Sequence, residues 1–129
     1  MSAPRVMVVD DNLLNNELVS FLLNASGFTL ATAENAYDAQ KQLPSFCPEL
    51  ILMDIQMPGM SGLELTQLLK ADAATKHIVI VAFTAHAMKD DESRLLNAGC
   101  DGYISKPIDV ATFVQSVRSY LPHPAVSAP

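Results

Sequence analysis

The chain has 129 residues, of which half are hydrophobic and 17% are charged, and its formal net charge is −6. This length suits one domain with a single core, and the hydrophobic content excludes a chain that is disordered throughout. The acidic balance argues against direct binding of nucleic acid, which needs a basic face. Two cysteines, Cys47 and Cys100, fit a reduced, cytoplasmic protein rather than a disulfide scaffold. No apolar run approaches the roughly 20 residues of a membrane span, so we expect no membrane association.

Five apolar segments have the pattern of buried strands, and each is followed by a segment predicted to be a helix. The predicted strands are residues 5–9, 28–31, 49–53, 78–83 and 102–105. The predicted helices are residues 13–26, 35–43, 61–71, 87–98 and 110–120. Glycines are expected to end two of the helices, Gly27 the first and Gly99 the fourth.

The helical segments carry apolar residues at helical spacing, which predicts the faces that they turn to the sheet. In the first helix these positions are Leu14, Leu18, Phe21, Leu22 and Ala25, and either Asp11 or Asn12 is expected to cap it. In the second they are Ala36, Ala39 and Leu43, with Pro44 closing the helix. The apolar positions of the third are Leu63, Leu65, Leu68 and Leu69. In the last, which Asp109 is expected to cap, they are Phe113, Val114 and Val117.

The regular alternation of strand and helix predicts an α/β fold with a parallel sheet covered on both faces. Right-handed crossovers leave few topologies, and we favour the flavodoxin-like (βα)5 order 2-1-3-4-5. One domain is therefore expected over residues 1–121. The residues after it, 122–129, are rich in proline and alanine, and we expect them to form a disordered tail. Such a tail favours a free-standing protein, but the sequence leaves open a receiver that is part of a hybrid kinase.

Polar residues follow four of the predicted strands directly: Asp10 and Asp11, Asp54, Thr84, and Lys106. The carboxyl ends of parallel strands meet at one edge of the sheet, where ligands bind. Three carboxylates at close range need a cation, and hard oxygen ligands favour Mg²⁺, with Mn²⁺ as a substitute. With an ammonium and a hydroxyl beside them, these groups suit phosphoryl transfer to Asp54, which would form an acyl phosphate.

Four motifs, VMVVDDN, ILMDIQMPGMSGLEL, VAFTAHAM and GCDGYISKPI, occur in this order. With their spacing, they resemble the CheY-like receiver domain of response regulators over residues 5–121. Within that family the chain looks most similar to single-domain cell-cycle regulators and to the receivers of hybrid histidine kinases. The resemblance implies that Asp54 accepts a phosphoryl group from a phosphohistidine on a histidine kinase or phosphotransfer protein.

The same resemblance implies roles for the neighbouring residues. Asp11 and Asp54 would be direct ligands of Mg²⁺, the backbone carbonyl of Gln56 would complete the protein ligands, and Asp10 would act largely through water. Thr84 and Lys106 would bind the phosphoryl oxygens. Tyr103 matches the family's switch aromatic, which turns inward when Thr84 moves to the phosphate, and the Lys106-Pro107 bond would be cis.

Partner surfaces can be placed on the predicted elements. Leu13 lies off the predicted core stripe of the first helix, so it is either an incidental exposed residue or, with Asn15, a docking contact for the phosphodonor. The output surface implied by the resemblance is the fourth helix, the fifth strand and the fifth helix, which would bind a downstream effector protein. His77 and His86 are expected at the surface, not as phosphate carriers.

Three other functions use parts of the same sequence pattern. A phosphatase with an aspartyl nucleophile wants a second acid two residues after it, where this chain has Gln56. A flavodoxin-like redox carrier needs a Gly/Ser/Thr-rich phosphate cradle, but the loop after the first strand is DDNLLNN. A phosphorelay intermediate, or a passive phosphate sink without conformational output, uses the same residues and stays open. The chain is in any case expected to be a phosphoacceptor that catalyses its own phosphorylation and dephosphorylation, not an enzyme.

Overall fold

A computed structural model describes residues 3–57, 59–84 and 89–121, with the backbone alone at 89–92. The strands are β1 (Arg5–Val9), β2 (Thr29–Ala33), β3 (Leu50–Met53), β4 (Val79–Thr84) and β5 (Gly102–Ser105). The helices are α1 (Leu13–Ala25), α2 (Ala36–Phe46), α3 (Gly62–Ala71), α4 (Lys89–Asn97) and α5 (Phe113–Tyr120). None of these helices is long and apolar enough to cross a membrane.

The five strands form one parallel sheet in the order β2-β1-β3-β4-β5, which confirms the predicted topology. β1 lies between its neighbours in a register that pairs Val9 with Ala33 on one side and with Met53 on the other. At the other side of the sheet Thr84 pairs with Ser105. The carboxyl ends of the strands are therefore level, and the residues that follow them meet at one edge.

The core lies on both faces of the sheet, because successive residues of the central strands point to opposite sides and both sets are buried. On one face, α1 and α5 cover a cluster that includes Val8, Leu52, Phe83, Val19 and Val117. On the other, the helices α2, α3 and α4 cover a cluster that includes Met7, Ile51, Ile80, Leu43, Leu65 and Leu95. Burial on two faces explains why the strands are apolar throughout instead of alternating.

The predicted buried face of α1 is wrong. The helix buries Asn16, Val19 and Leu23, whereas Leu14 is 75% exposed and Phe21 is 70% exposed. Leu18 and Ala25 are exposed as well, and Leu22 packs only partly against the core: of the predicted stripe, no residue is fully buried. Apolar residues surround this helix, so their spacing does not select one face, and the face that is buried contains a polar residue.

Several helices and strands begin or end at other residues than the sequence predicts. α2 continues past Pro44, since the Cys47 N–H still donates to the Leu43 carbonyl, and the proline removes only one donor. α5 begins at Phe113, because Asp109 closes a separate turn by accepting the Ala111 N–H. β2 begins and ends later than predicted, and β4 includes Thr84. The predicted start of the fourth helix at residue 87 and the tail at 122–129 lie outside the described residues.

Other packing predictions are confirmed. The inward positions Ala36, Ala39 and Leu43 of α2 are buried, as are Phe113 and Val117 of α5. In α3, Leu65 and Leu69 are buried, while Leu68 is exposed. The helix begins with a capping box, in which Ser61 and Glu64 exchange side-chain and backbone hydrogen bonds. Gly99 follows α4 with a φ of +111°, as expected for a helix stop.

Candidate functional site

Backbone hydrogen bonds extend the sheet by one residue beyond the strand ends, and these residues carry the predicted site. The Asp10 N–H donates to the Ala33 carbonyl at 3.0 Å, and the Asp54 N–H donates to the Val9 carbonyl at 2.8 Å. The Lys106 N–H donates to the Thr84 carbonyl at 2.9 Å. The sheet therefore fixes the main chain beneath each functional side chain.

Three carboxylates converge at this edge of the sheet. Asp10, Asp11 and Asp54 each offer one oxygen, and these oxygens all lie within 4.8 Å of one another. Asp10 is completely buried and Asp54 is 5% exposed, whereas Asp11 faces solvent. Like charges this close repel in a partly dry site, and hard oxygen donors are the ligands that Mg²⁺ prefers. The donor set therefore fits a magnesium ion.

Lys106 supplies a positive charge inside this cluster. Its Nζ lies 2.8 Å from Oδ2 of Asp10 and 3.7 Å from Oδ1 of Asp54. The Lys106 side chain is mostly buried, and its ammonium lies 5.0 Å from the centroid of the Phe83 ring. One cation thus faces two buried acids and lies closer to Asp10.

Hydrogen bonds from the following loops hold the two buried acids. Oδ1 of Asp10 accepts the Asn12 N–H at 2.9 Å, and Nδ2 of Asn15 approaches its Oδ2 at 3.4 Å. Oδ1 of Asp54 accepts the Gln56 N–H at 3.1 Å. Backbone donors of this kind fix the orientation of a carboxylate and favour its charged form.

The environment of Asp54 raises its pKa to about 7. The largest cause is burial, which disfavours the charged form, and the carboxylate of Asp10 acts in the same direction. The ammonium of Lys106 and the Gln56 N–H act in the opposite direction and only partly offset these effects. Without a cation, this carboxyl group therefore titrates near neutral pH.

Gly62 allows α3 to approach the back of Asp54. A Cβ atom built on Gly62 would overlap the carbonyl oxygen of Asp54 and press on the main chain of Ile55. The Gly62 N–H also donates to the Ile55 carbonyl at 3.2 Å. The glycine in the MSGLEL segment is thus required by a close backbone approach directly beneath the site.

The predicted switch residues lie on adjacent strands at the same side of the sheet. Thr84 is buried at the end of β4, and Tyr103 lies on β5, where it pairs with Ala82. Tyr103 is half-buried, and its side chain packs against the core cluster beneath α2, α3 and α4. Its carbonyl accepts the hydroxyl of Tyr120 at 3.3 Å, and the Lys106-Pro107 bond is cis, as the resemblance implied.

The sequence profile of the response regulator receiver domain matches residues 6–118. The chain belongs to this family. As a receiver it is a phosphoacceptor of two-component signalling, and the family binds Mg²⁺ at an acidic site and interacts with histidine kinases or phosphotransfer proteins and with effectors. Family membership also removes the phosphatase and the flavodoxin-like carrier as alternatives.

Similar proteins agree with this assignment. The polar-differentiation response regulators DivK of Brucella anthropi and Brucella abortus are each 47% identical over 116 residues, which is 90% of this receiver and 94% of theirs. A receiver domain of a histidine kinase from Syntrophus aciditrophicus superposes with a TM-score of 0.82 at 27% identity, over 92% of this chain and 90% of that one. The chemotaxis protein CheY4 of Vibrio cholerae shares the fold, with a TM-score of 0.87 at 22% identity, over 93% of this chain and all of that one.

The structure places most of the receiver's predicted site residues together and adds two that sequence reasoning missed. Asp10, Asp11 and Asp54 form the carboxylate cluster, with Lys106 in contact. Asn16 and Gly62 were not predicted, although DDNLLNN and MSG are the segments that contain them. A polar residue such as Asn16 indicates a functional role only when it is known to lie on the buried face of its helix, and the sequence did not identify that face. Leu13 is exposed as predicted, His77 is at the surface, and His86 lies outside the described residues.

Proposed function

We propose that this receiver accepts a phosphoryl group on Asp54 from a phosphohistidine and that the modification changes which protein it binds. The observation that carries the proposal is the position of Asp54. It lies at the carboxyl end of the central strand β3, within reach of two further carboxylates and 3.7 Å from the ammonium of Lys106. This arrangement supplies the positioning and the charge neutralisation that phosphoryl transfer needs.

The contacts favour Asp54 over its two acidic neighbours as the nucleophile. Asp10 is completely buried, and both of its carboxylate oxygens already accept hydrogen bonds or an ion pair. Asp11 is exposed and lies at the rim of the cluster. At Asp54 the Gln56 N–H and the Lys106 ammonium both approach Oδ1, so attack through Oδ2 leaves these contacts in place.

The transfer exchanges one bond to phosphorus for another. Oδ2 of Asp54 attacks the phosphorus atom, an O–P bond forms, and the N–P bond of the phosphohistidine breaks. The imidazole nitrogen keeps the electron pair and takes up a proton from solvent. Thr84 and Lys106 then bind the phosphoryl oxygens by a hydroxyl hydrogen bond and an ion pair.

A bound Mg²⁺, or Mn²⁺ in its place, would neutralise carboxylate charge and polarise the phosphoryl oxygens. Asp11, Asp54 and the Gln56 carbonyl are the proposed direct ligands, and Asp10 is proposed to act largely through water. The residues of the site catalyse both phosphorylation and hydrolysis of the acyl phosphate, so the chain acts on itself rather than as an enzyme with a separate substrate. The two free thiols, Cys47 and Cys100, support a cytoplasmic location.

The exposed face of α1 is the proposed docking surface for the phosphodonor. Leu13 and Leu14 are exposed at the start of the helix, and Leu18 and Phe21 continue the apolar face along it. Asn15 lies beside them, and its amide faces Asp10. An apolar surface next to the phosphoacceptor suits a helix of a histidine kinase or phosphotransfer protein.

The proposed output surface consists of α4, β5 and α5. The phosphoryl group brings roughly two negative charges, which draw Thr84 and Lys106 towards Asp54. Because Thr84 and Tyr103 lie on the paired strands β4 and β5, a shift of Thr84 opens space for the Tyr103 ring on this side. An effector that prefers the resulting arrangement binds the phosphorylated form.

Phosphorylation by a small acyl phosphate and by a phosphorylated histidine protein tests the two parts of this proposal. The unmodified chain should gain one phosphoryl group from either donor with Mg²⁺, and Asp54→Asn should gain none. Leu14→Glu should react normally with the small donor and slowly with the protein donor, with exposed Leu68→Glu as the control. Labelling of Asp54→Asn would refute the site, and equal transfer to Leu14→Glu would refute the docking surface. Equal effector affinity before and after phosphorylation would instead indicate a relay intermediate or a phosphate sink.

A further inference from the structure

Asn16 is a polar residue on the buried face of α1. It is 5% exposed and shares this face with Val19 and Leu23. Its Nδ2 donates to the backbone carbonyl of Asp10 at 2.9 Å, and its Oδ1 is buried with no hydrogen-bond partner among the described residues. A buried amide with an unmatched oxygen destabilises a fold relative to an apolar residue of similar size. Packing therefore does not explain this side chain.

Three hydrogen bonds form a closed ring that includes the main chain of Asp10 and Asp11. The Asn12 N–H donates to Oδ1 of Asp10 at 2.9 Å, and the Asn16 N–H donates to the Asn12 carbonyl at 3.1 Å. Nδ2 of Asn16 donates to the Asp10 carbonyl, and this third hydrogen bond completes the ring. Asp11 lies between two residues that are both held, so its peptide groups cannot turn without breaking one of these bonds.

The Asp10 carbonyl needs a donor because the chain leaves the sheet at this residue. The Asp10 N–H still makes a ladder bond to Ala33, but β1 ends at Val9 and α1 begins at Leu13. Asp10 is completely buried, and Asn16 is the side chain that donates to its carbonyl. With an apolar residue at position 16, this carbonyl would have to turn or admit water, and the loop that carries both acids would turn with it.

We propose that Asn16 is a positioning residue for the cation site. It holds the main chain from Asp10 to Asn12 so that the carboxylates of Asp10 and Asp11 converge on that of Asp54. The proposal rests on the proposed function only in requiring that the carboxylate cluster binds a divalent cation. Some groups do not touch the metal but hold its ligands in place by hydrogen bonds. Their removal typically lowers metal affinity or activity by 10–100-fold.

Variants Asn16→Leu and Asn16→Ala test this role, with Asn24→Leu, at an exposed position of the same helix, as the control. Calorimetric titration with Mg²⁺ alone should show about tenfold weaker binding for both Asn16 variants and unchanged binding for the control. The Mg²⁺ concentration for half-maximal labelling by a small acyl phosphate should rise by the same factor. The labelling rate at saturating Mg²⁺ should approach that of the unmodified chain.

Urea unfolding without metal separates positioning from a structural role. Asn16→Leu should unfold at nearly the same urea concentration as the unmodified chain, because loss of the unmatched oxygen offsets loss of the donor to the Asp10 carbonyl. Unchanged Mg²⁺ affinity in the folded variants would overturn the proposal, as would an unmodified chain that binds no Mg²⁺. Failure of both Asn16 variants to fold beside a folded control would also overturn it, since Asn16 would then be structural. A chain that binds Mg²⁺ but is not labelled on Asp54 would refute the proposed function alone, because the calorimetric comparison would still hold.

Discussion

The ammonium of Lys106 lies 2.8 Å from Oδ2 of Asp10. It is thus paired more closely with the completely buried acid than with the proposed phosphoacceptor, which is 3.7 Å away. A buried carboxylate without a partner would be costly, so Lys106 stabilises Asp10 when no metal is bound. Under the proposed function, a divalent cation would neutralise Asp10 and leave Lys106 to bind the phosphoryl group on Asp54. One side chain would then serve two states of the site.

Removal of Lys106 tests this division of roles. Lys106→Ala should lower the free energy of unfolding in EDTA by about 3–5 kcal/mol, because it leaves a buried carboxylate uncompensated. Mg²⁺ should restore much of this loss, so that its stabilising effect is larger in the variant than in the unmodified chain. The variant should still accept some phosphoryl label but no longer change its affinity for an effector. Urea unfolding with and without Mg²⁺ measures the first part.

Lys70 offers the matched control for Lys106. Its Nζ pairs with Asp101 at 2.8 Å, but Asp101 is half-exposed and lies away from the carboxylate cluster. Lys70→Ala should cost about 1–2 kcal/mol, because Nζ of Lys70 also donates to the Ile78 carbonyl at 2.7 Å, and the cost should not depend on Mg²⁺. The same response to Mg²⁺ in both variants would contradict the special role of Lys106.

Neutralisation of Asp11 should have opposite effects on the metal-free and metal-bound protein. Asp11→Asn relieves repulsion in the carboxylate cluster, so the melting temperature in EDTA should rise. The same change removes a proposed ligand and should weaken Mg²⁺ binding by about tenfold or more. Thermal melts over a Mg²⁺ series show both effects. Identical curves for the variant and the unmodified chain would mean that the three acids do not act as one site.

The raised pKa of Asp54 predicts a pH dependence of stability without metal. Since the folded pKa is about 7 and the ordinary value is 3.8, the folded state binds more protons than the unfolded state between these values. The free energy of unfolding should therefore fall as the pH rises through this window, by on the order of 2 kcal/mol between pH 5 and pH 8. Asp54→Asn should lack this component, so the difference between the two urea-unfolding profiles isolates it. Parallel profiles would contradict the raised pKa.

Gly62→Ala should disturb the site by displacing the main chain of Asp54. The new methyl group overlaps the Asp54 carbonyl, which is main chain and cannot rotate away. We expect a loss of about 3 kcal/mol in the free energy of unfolding and weaker Mg²⁺ binding, because Asp54 must shift. Gly59→Ala is the comparison: its Cβ meets no atom within 4 Å, and the strain at its φ of +79° costs only about 1–2 kcal/mol. Equal effects of the two substitutions on Mg²⁺ binding would refute the close approach as the cause.

The sequence predicts that the residues of this site lie close together, because the topology of the sheet determines their positions. Asp10, Asp54, Thr84 and Lys106 each lie at or directly after the end of a strand, and parallel strands bring their carboxyl ends together whatever the details of packing. The buried face of α1 could not be predicted in the same way, since apolar residues surround the helix. The structure shows its orientation: Val19 and Leu23 are buried in the core, and Asn16 on the same face donates to the Asp10 carbonyl.

The electrostatic properties of the site are harder to predict from the sequence. The preference of Lys106 for Asp10 depends on a difference of about an ångström, and the pKa of Asp54 depends on burial and on distances to several charges. Helix bounds depend on single hydrogen bonds, such as the Cys47 N–H that carries α2 past Pro44. Residue types and spacing do not encode these quantities.

The most direct test of the account is the identity of the phosphorylated residue. The chain would be phosphorylated with Mg²⁺ and a small acyl phosphate, reduced with borohydride, which converts an aspartyl phosphate to homoserine, and analysed by peptide mass spectrometry. We predict homoserine at position 54 alone, and none when Mg²⁺ is omitted or when Asp54→Asn is used. Homoserine at position 10 or 11, or a stable phosphoryl group on a histidine, would contradict the assignment of Asp54 as the phosphoacceptor.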